Sequence, residues 1–325
     1  MAEGSGNQAR RRAGMTRRSW LMGALALPAG LATRANGPGR DADSTADERA
    51  KIRAGAAKAG LSPIRWSETV HYLGVGDAPD AFRDRALEIC ESLATTYQKS
   101  FRDKGFDVEI PKCRLTVVAL RDLASYKAFL GEEPGEAVGG HYDLDTNRLV
   151  IFDFRPGGRE LAIRSERVNT FTLVHEAAHQ LTFNTGLLNR RGDVPVCLSE
   201  GLAMYCELWR PTGRALLGQV NLPRLQVLAR PEGAGWLPLA ELLTDDALLE
   251  NQATRQLAYA EGWALVHALL KTPAWLPRFR AYLAAIRERR DASRRLKDAE
   301  AHLGNLDRLD HELRRHAMRL IRGGP

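Results

Sequence analysis

The rhythm of apolar residues changes near residue 160, and that change restricts the chain to folds joining a small sheet to a larger helical body. Before it, "IRWSETVHYLGV" (64–75) and "CRLTVVAL" (113–120) alternate as strands do, and "GGHYDLDTNRLVIFDF" (139–154) reads as a hairpin turning at 145–147. Between the strands, Phe82, Ala86, Ile89, Leu93, Tyr97 and Phe101 form one helical stripe over 79–104, and "RDLASYKAFLG" (121–131) predicts a short helix closed by Gly131. Beyond residue 160 the spacing predicts helices over 167–184, 197–209, 213–229, 238–243, 253–271 and 274–289, with a last one after Asp307. The fold class is therefore α+β: a small mixed sheet with flanking helices, followed by a mainly helical subdomain. A chain of 325 residues, 44% hydrophobic, buries a sizeable core, and no internal repeat divides it.

The net charge of +7 suggests nucleic acid until it is located. Residues 1–35 carry Arg10, Arg11, Arg12, Arg17, Arg18 and Arg34 against Glu3, which accounts for +5 and leaves a nearly neutral body. With no basic motif interleaved with aromatics, nucleic acid is not an expected partner. The stretch "MTRRSWLMGALALPAGLATRA" (15–35) looks like a twin-arginine export signal, with an apolar run shorter than the ~20 residues that span a bilayer. An exported protein, periplasmic or extracellular, with no stable membrane span after cleavage is expected; an uncleaved signal would act as an anchor. Met15 stands as an alternative start to Met1. Residues 36–62 show no apolar period and read as a linker, so structure is expected from near Pro63 onward through a single domain over 63–325, in halves 63–159 and 160–325. Export makes disulfides possible among Cys90, Cys113, Cys197 and Cys206; either Cys90 pairs with Cys113 or the thiols are free and buried. The charged stretch "RERRDASRRLKDAE" (287–300) reads as a solvated helix face rather than a binding surface.

The chemistry is concentrated in "TFTLVHEAAHQLTF" (170–183). On a helix, His175 and His179 project from one face and supply two corners of a tetrahedral metal site, with Glu176 beside them, placed to take a proton from water. Phe171, Val174, Ala178, Leu181 and Thr182 suit the opposite, packed side. A third ligand is needed, and Glu200 in "VCLSEGLAMYCE", with 20 residues between it and His179, offers a carboxylate near the start of the next apolar helix. Two imidazoles and one carboxylate leave a fourth position open, as a catalytic zinc requires.

HEAAH followed by "CLSEGLAMYCE" resembles the gluzincin metallopeptidases, whose third ligand sits in a W-L-x-E-G-x-A helix. The chain is similar to the catalytic domains of thermolysin and aminopeptidase N type enzymes, and most of all to the peptidase-MA-like domains of bacterial exported proteins. The resemblance implies a zincin-like fold, Zn2+ held by His175, His179 and Glu200, and Glu176 as general base. It matches Glu207 to an acid common in that helix, either one that orients a ligand histidine or a surface glutamate, and Tyr259 in "YAEGWALVHALL" to the tyrosine that stabilises the oxyanion. His267 is a rival for that second role but falls where a packing face is expected. The resemblance also implies that one hairpin strand, 139–143 or 148–154, offers its edge to an extended peptide. Two departures stand out: "AVGGHYDLD" lacks the Gly-x-Met-Glu-Asn glutamate with which aminopeptidases read an amino terminus, and Cys197 replaces the usual Trp. The expected activity is hydrolysis of a peptide or protein by metal-activated water, endo or exo; the alternative is a non-catalytic, metal-containing peptide-binding module at the cell envelope.

Overall fold

Among the described residues, five strands build one mixed sheet in the order β1-β2-β3-β5-β4: β1 (Arg65–Glu68), β2 (Tyr72–Gly76), β3 (Leu115–Leu120), β4 (Gly140–Asp143) and β5 (Arg148–Phe152). The computed structural model describes residues 40–131, 139–153, 159–212, 216–229 and 235–323; the expected signal segment over 1–35 lies outside them. The inner pairs β2·β3 and β3·β5 are parallel, and the outer pairs β1·β2 and β4·β5 are antiparallel. Every residue of β3 is buried because both faces of the sheet are covered: Leu115, Val117 and Ala119 enter the large core, while Val118 and Leu120 enter a smaller one behind.

Two expectations for this half are corrected. The linker over 36–62 is instead largely a helix, α1 (Arg40–Lys58), so ordered structure precedes Pro63. Ile52 and Ala56, one turn apart, are buried, Ile52 in the cluster with Val75, Val118 and Tyr126, and Glu48 pairs with Arg148 at 2.6 Å. A contact two residues wide on an otherwise polar helix leaves no apolar period to read. The single strand over 64–75 is two strands joined by a tight turn, in which the Thr69 amide donates to the Tyr72 carbonyl at 3.0 Å. Alternation runs through the turn unbroken, and Glu91 holds it by accepting from the Thr69 hydroxyl at 2.7 Å and the His71 amide at 3.1 Å. The remaining elements follow the sequence pattern. They are α2 (Asp80–Asp103), with its apolar stripe inward; α3 (Leu123–Leu130), capped by Asp122 and closed by left-handed Gly131; and the β4–β5 hairpin, with Asn147 at φ 63°.

The second half is helical throughout: α4 (Arg159–Asn184), α5 (Val196–Cys206), α6 (Leu222–Leu228), α7 (Leu239–Thr244), α8 (Ala247–Glu250), α9 (Arg255–Lys271), α10 (Leu276–Arg287), α11 (Arg295–Leu303) and α12 (Leu306–Gly323). The helix expected over 213–229 is confined to α6, which starts at an Asn221 cap with proline in its first turn; residues 213–215 lie outside the described ones. Helix α4 lies on the sheet through Val174, Ala177, Ala178 and Leu181, and Gln180 Nε2 fixes its height by donating to the carbonyls of Thr116 at 3.1 Å and Asn147 at 3.2 Å. Helices α5 and α9 cross where Gly201 meets Gly262: a Cβ on Gly201 would stand 2.4 Å from the Gly262 carbonyl oxygen, and one on Gly262 would stand 2.8 Å from that of Cys197. All four thiols are free, with Cys90, Cys197 and Cys206 buried and Cys113 exposed. Among the described residues no helix is long and apolar enough to cross a membrane.

The charged stretch 287–300 is not simply a solvated face. Arg289, Arg295 and Asp298 are buried, and Arg295 grips two carboxylates: Asp193 at 2.9 and 3.0 Å, and Asp246 at 2.9 and 3.0 Å. Asp246 in turn accepts from the first amide of α5, Val196 N, at 2.9 Å, and Arg289 donates to the Asp193 carbonyl at 2.7 Å. This network ties α11 to the start of α5, which explains why so basic a segment turns inward. Arg295→Met removes the guanidinium shared by two carboxylates in a low-dielectric setting and is expected to destabilise the fold by ~3–5 kcal/mol. Urea unfolding at neutral pH measures it; an unchanged midpoint and slope would exclude the network from the stability of this half.

Candidate metal centre

Helix α4 presents His175 and His179 from one face, as their spacing dictates, with Glu176 one position round. Glu200, in the second turn of α5, meets both histidines: its Oε2 is 3.3 Å from His175 Nε2 and its Oε1 is 3.4 Å from His179 Nε2. One donor atom from each of the three side chains lies within 4.8 Å of the others, the one such convergence of His, Cys, Asp or Glu among the described residues.

The surroundings prepare these atoms to be ligands. Glu207, 1% exposed, accepts a hydrogen bond from His175 Nδ1 at 3.0 Å. Because a carboxylate only accepts, Nδ1 carries a proton toward Glu207, and Nε2 is the nitrogen turned toward Glu200 and available to a metal once its own proton leaves. The other Glu207 oxygen accepts from the Asn221 amide and lies 3.8 Å from Arg224 Nε. Burial alone would lower the His175 pKa, but hydrogen bonds to Glu200 and Glu207 hold it well above the ordinary histidine value. Burial would likewise raise Glu200, yet His179 and His175 hold it far below the carboxylate range. The cluster thus stabilises positive charge at the point its three donors share. Two imidazole nitrogens and one carboxylate oxygen fit a divalent ion of borderline softness and leave a fourth position open.

Glu176 sits beside the three donors rather than among them. Its Oε2 accepts from the amide of Tyr142 at 2.8 Å, which aims the carboxylate along β4. Of the two hairpin strands considered as a peptide platform, 140–143 is at the sheet edge, whereas 148–152 is enclosed between β3 and β4. Tyr259, on the first turns of α9, lines a cavity of about 160 Å3 together with His179 and Glu200. The Glu200 carboxylate, then burial, then Glu176 push its phenol well above the usual tyrosine value, so at neutral pH it is a proton-bearing donor. His267 is elsewhere: it is buried against the rings of Trp263 and Tyr205, with Nδ1 2.9 Å from His316 Nε2, and serves packing.

Three residues at the centre carry no sequence signal for it. Tyr142 supplies a main-chain amide, which no side-chain pattern reveals. Asn221 is legible as a helix cap, and it does accept from Arg224 N at 3.3 Å, but its amide also reaches Glu207. Arg224 lies between the two halves of the site, close to Glu207 and with its guanidinium carbon 5.5 Å from the centroid of the Tyr259 ring.

A family profile described as a protein of unknown function, DUF1570, matches residues 169–290, a span that begins just before the two histidines and includes Glu200, Glu207 and Tyr259. No curated protein shows a significant match to the chain.

Glu207→Gln keeps the size of the side chain but removes the charge that sets the His175 tautomer. A loss of ~10-fold or more in Zn2+ affinity is expected, at the lower end of what such partners contribute. Chelator competition measures it, with circular dichroism as a check on folding; unaltered affinity would leave Glu207 as a packing residue only.

Proposed function

We propose that the chain is an exported zinc-dependent peptidase of gluzincin type. The observation that carries this reading is the convergence of His175, His179 and Glu200 on one point, with Glu176 and Tyr259 close by and the edge strand β4 beside them. In this reading His175, His179 and Glu200 hold Zn2+, which when bound acts as a Lewis acid that makes water more acidic and polarises a carbonyl.

The protein's own groups perform the remaining work. Strand β4 ends the sheet among the described residues, and an extended peptide adds to it by main-chain hydrogen bonds, which places a scissile bond alongside α4. Glu176 accepts a proton from the attacking water as its oxygen bonds to the carbonyl carbon, and it returns that proton to the amine nitrogen as the C–N bond breaks. The Tyr142 amide, already donating to Glu176 Oε2, restricts the carboxylate to the orientation this transfer needs. Tyr259 O–H donates to the carbonyl oxygen as negative charge develops there, and it keeps its proton because the neighbouring carboxylates and burial disfavour the phenolate. Arg224, over the ring of Tyr259 and near Glu207, links the oxyanion donor to the residue that orients His175. The twin-arginine-like segment at 15–35 supports export to the periplasm or beyond.

Glu176→Gln is expected to retain stoichiometric zinc and to lose ~10²–10⁴-fold in turnover, the usual contribution of a positioned base. Tyr259→Phe is expected to lower kcat ~10²–10³-fold with little change in KM, since the phenol acts on charge that appears only in the transition state. Elemental analysis together with mass-spectrometric profiling of a peptide library provides both readouts. Undiminished cleavage by Glu176→Gln would refute the mechanism, and zinc-loaded wild-type protein that binds peptides but cleaves none would identify a binding module.

A further inference from the structure

The cavity beside the metal-binding residues is walled by Leu144, Phe183, Val194, Val196 and Leu249, so its sides are apolar. Its charged lining is exclusively acidic or committed to the centre, for no Lys or Arg contributes to it. His179 and Glu200 belong to the ligand set, and Asp246 is held by Arg295 and the Val196 amide. That leaves Glu250, the last residue of the short α8, whose carboxylate engages in no hydrogen bond or ion pair among the described residues. The Arg255 guanidinium donates to the Glu250 main-chain carbonyl at 2.9 Å. The partly buried carboxylate is thus left for an occupant of the cavity.

We infer that Glu250 makes this cavity a receptor for a cationic group of the substrate, an alkylammonium or guanidinium carried on an aliphatic stem, next to the bond to be cleaved. The inference rests on the peptidase reading for the word "substrate", while the recognition itself stands on the cavity. Apolar walls suit the methylenes of lysine or arginine, whose charged end then meets the acid. A volume of about 160 Å3 admits one such side chain and not a folded segment. A free amino terminus offers the same cation without the stem, and the two sources separate experimentally.

The test uses the full chain, loaded with zinc, in the Glu176→Gln background so that peptides bind without turnover. Fluorescence anisotropy compares three acetylated, labelled peptides identical except for one central Lys, Arg or norleucine, and a fourth with norleucine at that position and a free amino terminus. Tighter binding of the Lys and Arg peptides by ~10-fold or more over norleucine, abolished by Glu250→Gln, is the expected result. Glu250→Lys is expected to reverse the preference toward a central Glu. If only the free amino terminus gains affinity through Glu250, the cation is the terminus rather than a side chain. Equal affinity for all four, or a preference that survives Glu250→Gln, overturns the inference. Cleavage by the protein with wild-type Glu176 is scored separately: basic-selective binding without cleavage defeats the peptidase reading and leaves the receptor intact, whereas cleavage indifferent to charge does the opposite.

Discussion

The contact between Gly201 and Gly262 sets the distance on which the rest of the centre depends. Helix axes usually pack ~8–10 Å apart because side chains intervene. Here neither helix has a side chain at the crossing, and each approaches a backbone carbonyl of the other. Glu200 immediately precedes one glycine, and Tyr259 stands three residues before the other. The close approach therefore brings the Glu200 carboxylate and the Tyr259 phenol to the same cavity. A methyl group at either position would push the helices apart and move both functional groups at once. The apolar residues around the crossing, Leu198, Leu202, Trp263 and Val266, are fully buried and supply the packing that holds it shut.

Around this crossing the buried charges are compensated in two separate tiers. Near the centre, Glu207 is satisfied by His175, Asn221 and Arg224, so its charge is spent on orienting one ring. Farther out, Asp193 and Asp246 are satisfied by Arg295, with Arg289 reinforcing the Asp193 side. The second tier binds the first amide of α5 and so fixes the register from which Glu200 projects. Burying an ion pair yields little net stability, and its value lies in allowing only one arrangement.

What was legible in the sequence was whatever a single element encodes. HEAAH could be read because both histidines and the base lie on one regular helix, where spacing alone determines direction. Glu200 could be read because it follows HEAAH at a ligand-like spacing on the next apolar helix. Tyr259 entered through family resemblance alone, since nothing local distinguishes it from a core aromatic. The long stripe of α2 and the cap of α3 were equally plain, whereas α1 hid its two buried residues in a polar helix. Illegible features were those made by chain segments that meet only in space: Tyr142 N at Glu176, Arg224 between Glu207 and Tyr259, and Arg295 about a hundred residues from Asp193. The local charge pattern at 287–300 even pointed the wrong way, because alternating signs describe a solvated face and an interior network equally well.

The division between regular and irregular elements bears on how such a site can vary. The reactive groups stand on long helices locked by core packing, whereas Val194, Asp246 and Glu250 come from connecting segments and a single-turn helix. Irregular segments ordinarily tolerate change in length. Here two of them are pinned to Arg295, the same residue whose partner Asp246 holds the start of α5. An insertion between 193 and 196 or near 246 would therefore displace Glu200 together with the cavity wall. Exchange of side chains on the fixed frame carries no such penalty, and the partly buried Glu250 can be replaced without disturbing a hydrogen bond to its carboxylate among the described residues. Selectivity in this architecture is consequently expected to diverge by substitution at the wall, while the lengths of the segments that carry it stay constant.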